Sequence, residues 1–192
     1  MVRNTNLDKF EAEIELRLAT PQDIPALETL INESVRALSI DYYTPSQIES
    51  ALIYVFGVDT QLIVDKTYFV VEAGGSLAGG GGWSKRKTLF GGDQAKPTAA
   101  DALLVPGKDA ARLRAFYVHP AWSRRGIGRL ITQACEAAAR DAGFTRLELI
   151  ATLPGQPLYE ANGYRIVSPF EIPLPDNSSL PAFRMTKDLT AR

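Results

Sequence analysis

At 192 residues, with 45% hydrophobic and 22% charged side chains, the chain has ordinary globular composition and enough length to bury one core. A formal net charge of −1 argues against a general affinity for nucleic acid, so basic clusters must act locally. One cysteine, Cys135, excludes an internal disulfide, and one histidine, His119, leaves almost no nitrogen or sulfur ligands for zinc, so no metal is expected.

The start, MVRNTNLDKFEAEIEL, holds no apolar run like a signal peptide, and no window reaches the roughly 18 apolar residues of a membrane span. A cytoplasmic protein is expected, folded as one domain over 1–192, with residues 1–12 a flexible or peripheral extension. IELRLA, 14–19, alternates as a half-buried strand does. Thr20-Pro21-Gln22-Asp23 then gives a helix start, and Ile24, Leu27, Leu30, Ile31, Val35 and Leu38 keep to one face. Thr44-Pro45-Ser46-Gln47 repeats the start signal for a second helix ending near Gly57. TYFVVEA, Gly74-Gly75 and SLAGGGGW predict a hairpin whose second arm is rich in glycine, the mark of a bulge or of close approach by another backbone or a ligand. Residues 85–110 lack a steady period and read as a long loop.

RLRAFYV, 112–118, is the next strand. A strong helical stripe follows through Ile127, Leu130, Ile131, Ala134, Cys135, Ala138 and Ala139 to a stop at Gly143, and TRLELIA, 145–151, is a strand again. This strand, helix, strand unit implies two parallel strands with a right-handed crossover. LYEANG, 158–163, ends a short helix; YRIVS and AFRMTK are further strands. An exposed strand near the C-terminus is a candidate for pairing two copies as a homodimer.

Between strand and helix stands SRRGIGRL, 123–130. A helix that begins after a glycine turn offers unpaired N–H groups and a partial positive charge, and Arg124, Arg125 and Arg129 add donors suited to phosphate oxygens. No G-K-[ST] follows, and Ile131 stands where a third glycine would complete GxGxxG, so the usual triphosphate and dinucleotide loops are disfavoured. A phosphate-bearing ligand held mainly by backbone remains; a plain strand-to-helix turn with solvated arginines is the alternative.

The run LRAFYVHPAWSRRGIGRLI, the alanine-rich helix, AGFTRLELIA, and Leu158-Tyr159-Glu160-Ala161-Asn162-Gly163-Tyr164 together resemble the GCN5-related N-acetyltransferases (GNAT). The family's pyrophosphate motif is [QR]-x-x-G-x-[GA]; Ser123-Arg124-Arg125-Gly126-Ile127-Gly128 departs from it at Ser123. The resemblance implies an α+β fold: a mixed central sheet of six to seven strands, two of them parallel and splayed, with helices on both faces. It implies acetyl-coenzyme A as cosubstrate, with the amides of residues 124–129 around the pyrophosphate and pantetheine along the backbone of Phe116, Tyr117 and Val118. Thr152 stands where a hydrogen bond to pantetheine is expected. By the same resemblance, Tyr159 is the acid for the departing thiolate, and the Val118 N–H stabilises the oxyanion. A catalytically inactive acetyl-CoA-binding regulator or sensor is the alternative.

Acetyl transfer to an amine also needs the amine's proton removed. Glu72 and Glu148, both on strands, are candidate bases. His119, in a His-Pro strand end, reads more readily as turn structure, and Cys135, on an apolar helix face, as core. Tyr42, Tyr43, Trp83 and Phe90 are the aromatics near the expected acceptor site, which would take a small-molecule or peptide amine.

Overall fold

A computed structural model of the chain describes residues 14–96 and 101–189; the extension expected over 1–12 lies outside them. Strands β1 (Ile14–Leu18), β2 (Tyr68–Ala73), β3 (Ser76–Ser84), β4 (Ala111–Val118), β5 (Arg146–Thr152), β6 (Arg165–Pro173) and β7 (Ser179–Asp188) form one sheet in the order β1-β2-β3-β4-β5-β7-β6. Only β4 and β5 run parallel. The seven strands and the helices on both faces match the expected α+β architecture.

Strand alternation feeds two cores. Val71, Leu113, Leu147 and Leu149 pack with Ile131, Cys135 and Ala139 of α4 (Ile127–Asp141). On the opposite face, Val70, Tyr117, Ile172 and Leu180 pack with α1 (Ile24–Ser39), α2 (Pro45–Tyr54) and α3 (Thr60–Val64). Thr20 and Asp23 close a capping box around a single 3-10 turn before α1, with the Thr20 N–H donating to Asp23 Oδ2 at 2.7 Å. Thr44 and Gln47 cap α2 in the same way.

Helix α3 is absent from the sequence reading. It has five residues, capped by Asp59, and a single turn is too short to display a 3.6-residue period. The last two strands are also longer than YRIVS and AFRMTK suggest. Pro169 and Pro173 interrupt the strand pattern of β6, yet β6 is the sheet edge, where a missing N–H leaves no ladder bond unmade.

The glycines of β3 have a packing reason. A Cβ at Gly79 would stand 2.6 Å from Ile127 Cγ2 of α4, one at Gly80 2.9 Å from the Tyr68 ring, and one at Gly81 2.6 Å from the Phe116 ring. Side chains make the nearest approaches at these three positions, and a backbone does at Gly82, where a Cβ would stand 2.9 Å from the Thr67 carbonyl oxygen. Tyr68 lies across Gly80 and donates its hydroxyl to the Ala115 carbonyl of β4 at 2.9 Å. At that point β4 bulges: Ala115 and Phe116 oppose the single residue Gly81, and Ala115 takes a φ of 58°.

Candidate active site

β4 and β5 pair only through Ala111 with Leu147 and Arg112 with Glu148, and then part. A cleft of about 650 Å³ is lined by the separated ends of these strands. Its lining comes from both faces of the sheet: α4 and α5 (Gln156–Ala161) on one side, α1, Phe56 and Leu89–Gly91 on the other.

The turn into α4 forms the first wall. Gly126 caps the helix with a φ of 88°, and a Cβ there would meet nothing within 4 Å. A Cβ on Gly128 would stand 2.9 Å from Leu158 Cδ2, so the second glycine lets α5 lie against α4. The two glycines therefore differ in purpose: Gly126 permits the left-handed turn, and Gly128 permits the helix contact. The first amides of α4 have no helical partner, and Arg124, Ile127 and Arg129 line the cleft beside them. Arg125 does not line it; its guanidinium lies 5.2 Å from the centre of the Trp122 ring. Free amides at the positive end of a helix, two arginines and open space over Gly126 fit a phosphate-bearing group.

β4 contributes backbone. The His119 N–H donates to the Ala78 carbonyl of β3 at 2.9 Å, and Tyr117 pairs with Gly80, so alternation commits Tyr117 to β3 and turns Val118 toward the gap. The expectation that Tyr117 pairs with a pantetheine chain through its backbone is thereby corrected; Phe116 and Val118 remain available. The Val118 N–H donates to Ser34 Oγ of α1 at 3.3 Å. Sequence reasoning missed Ser34, although a signal existed: it is the one polar residue on the Leu27, Leu30, Ile31, Val35, Leu38 face.

Tyr159 of α5 lines the cleft and is only 6% exposed. Its ring meets Phe116 edge-on at 6.0 Å and Tyr164 at 5.8 Å, so the bulge in β4 sets the position of this phenol. Burial, with smaller effects from Cys135 and Tyr117, pushes its pKa well above the usual value. Thr152, at the end of β5, is also on the wall.

Other expected residues lie elsewhere. Glu72 is two strands away from the gap, hydrogen-bonded to Arg17 of β1, and cannot reach an acceptor in the cleft. Glu148 sits where β4 and β5 still pair, held between Arg112 and Arg184 in a separate groove. His119 accepts the Ala121 N–H on Nδ1 at 3.1 Å and places Nε2 3.1 Å from Glu33, which is turn structure. Trp83 packs on Phe144 in the α4 core, 6.0 Å between rings, and not on the cleft. Tyr42 is exposed outside it. Tyr43 is buried; its hydroxyl donates to the Pro181 carbonyl at 2.8 Å and accepts the Leu153 N–H at 2.9 Å, bracing the wall from behind. Phe90 does line the cleft, anchored edge-on against Phe170 of β6 at 5.6 Å.

Among the described residues no cluster of three or more His, Cys, Asp or Glu is arranged to hold a metal, and no helix is long and apolar enough to cross a membrane.

No curated protein matches the sequence significantly. Solved structures do match by fold. A GCN5-related N-acetyltransferase from Rhodopseudomonas palustris superposes with a TM-score of 0.67 at 18% identity, covering 95% of this chain and all of that one. An N-acetyltransferase from Thermoplasma acidophilum in complex with coenzyme A gives 0.62 at 16%, covering 92% and 99%. A putative acetyltransferase from Salmonella typhimurium with its cofactor acetyl-CoA gives 0.61 at 15%, covering 93% and 95%. The model of the Acetyltransferase (GNAT) family matches residues 32–164, which include α4, the splayed strands and Tyr159. With most of its length matched in this way, the chain belongs to the GNAT family of acetyltransferases.

Proposed function

We infer that the protein moves an acetyl group from acetyl-coenzyme A to a primary amine of a small molecule or peptide by direct attack. The observation that carries this reading is the cleft through the splayed sheet, which joins the amide cradle of α4 to the Val118 N–H and the Tyr159 phenol. Two of the fold neighbours, described with coenzyme A and with acetyl-CoA, support the choice of cosubstrate.

Acetyl-coenzyme A supplies the thioester. The amides of residues 126–129, with Arg124 and Arg129, hold its phosphates, and the backbone of Phe116 and Val118 orients the pantetheine arm, with Thr152 beside it. The Val118 N–H, which donates to Ser34 Oγ at 3.3 Å, is the donor for the developing oxyanion. Burial keeps Tyr159 protonated, so its hydroxyl donates to the sulfur as the carbon–sulfur bond breaks, and the proton shed by the amine replaces it through water. Water takes the proton of the amine, since the described cleft residues include no carboxylate or imidazole.

The test is thiol release with Tyr159→Phe. Turnover should fall about 10²-fold with the acetyl-coenzyme A dissociation constant within about twofold of the parent. An unchanged rate would remove Tyr159 from the acid role. Tight cosubstrate binding with no release from any amine would instead favour the sensor alternative.

A further inference from the structure

On the α1 side of the gap the cleft is walled by Leu38, Phe56, Leu89, Phe90, Ile150 and Ile172. The polar side chains there are the Ser34 and Ser39 hydroxyls and the Tyr117 phenol, which accepts the Gly57 N–H; the Ser34 hydroxyl already accepts the Val118 N–H. Arg114 reaches the wall, but its guanidinium is buried and spent on Asp59 and on the Thr88 carbonyl at 3.0 Å. Among the described lining residues of the whole cleft there is no Asp, Glu or His. Carboxylates flanking the α1-side lining have partners: Asp59 with Arg114 and Lys96, Glu33 beside His119 Nε2 at 3.1 Å, and Glu171 accepting the Ser179 hydroxyl at 2.5 Å.

An ammonium brought into such a site finds no counter-charge, whereas an apolar body gains by leaving water. The reacting nitrogen meets this condition by arriving neutral; a second ammonium on the same molecule must either lose its proton as well, against a pKa of about 10.4, or be buried unpaired. We propose that the acceptor is a primary monoamine on an apolar body, and that diamines and polyamines are rejected for want of a carboxylate. This inference rests on the acetyltransferase reading.

A matched pair isolates the charge: hexylamine and 1,6-diaminohexane differ by one terminal ammonium, and 2-phenylethylamine adds a ring. Initial rates of thiol release from acetyl-coenzyme A should give kcat/KM at least tenfold higher for hexylamine and 2-phenylethylamine than for the diamine. Leu38→Glu, which adds a carboxylate to the half-buried α1 wall, should shrink that ratio at least fivefold. A diamine used as well as hexylamine, or a ratio unmoved in the variant, would overturn the inference. So would no turnover of either monoamine by a protein that binds acetyl-coenzyme A in a separate titration. A titration showing no such binding would instead remove the acetyltransferase reading, and this inference with it.

Discussion

Tyr159 and Gly126 illustrate how much of the proposed chemistry depends on single side chains. Because burial raises the Tyr159 pKa, the phenol should remain protonated throughout the working range, and the rate should not fall on the alkaline side as an exposed tyrosine's would. Plots of kcat/KM against pH should keep rising to about pH 10 as the amine, with a pKa of about 10.4, loses its proton; a descending limb below about pH 9 would mean a different acid. At Gly126 there is space for a side chain but a left-handed backbone. Gly126→Asn, a residue that tolerates this conformation, should bind acetyl-coenzyme A within about threefold of the parent. Gly126→Asp is nearly the same shape but places a negative charge at the phosphates, and should weaken binding at least tenfold by calorimetry. Equal losses in both variants would assign the effect to strain rather than charge.

The bare strand β3 and the bulged strand β4 work as a pair. Tyr68 crosses one to hold the carbonyl of the other, and Phe116, displaced at the bulge, carries that placement to Tyr159. Tyr68→Phe leaves the Ala115 carbonyl without this partner. It should cost about 1–2 kcal/mol in urea unfolding and lower kcat with little change in cosubstrate affinity. At the other end of the sheet, Arg17 holds the Asp23 carboxylate, the reciprocal cap of α1, and lowers its pKa from 3.8 to about 2. A carboxylate with a depressed folded pKa stabilises above its unfolded value. Asp23 should therefore contribute up to about 2 kcal/mol near neutrality, lost as the pH falls from about 4 to 2. Asp23→Asn should show that deficit at pH 7, and the gap to the parent should close across the same window. Elements of this kind were legible where local chemistry repeats: the caps at Thr20 and Thr44, the stripe of α4, and the turn at SRRGIGRL each follow from neighbours in sequence. What could not be read is contact between distant residues. Glu72 and Trp83 look suitable as letters, but the strand order carries Glu72 two strands away from the gap, and alternation sends Trp83 to the α4 face. Ser34 becomes notable only once Val118 faces it.

For the molecule as a whole, the proposed function follows from one interruption in an otherwise continuous sheet. After two paired residues β4 and β5 separate, and the opening connects a positive helix end on one face with an apolar pocket on the other. A charged, phosphate-bearing donor and an apolar acceptor could thus reach the same backbone amide from opposite sides. The central claim is that the opening takes the whole of acetyl-coenzyme A, and calorimetric titration tests it most directly, with adenosine diphosphate as the comparison ligand. A micromolar dissociation constant, about −8 kcal/mol, with the nucleotide bound far more weakly is the expected result. Equal binding of both would show that the gap between β4 and β5 takes no part, and no binding of either would reduce the glycine turn to the start of a helix.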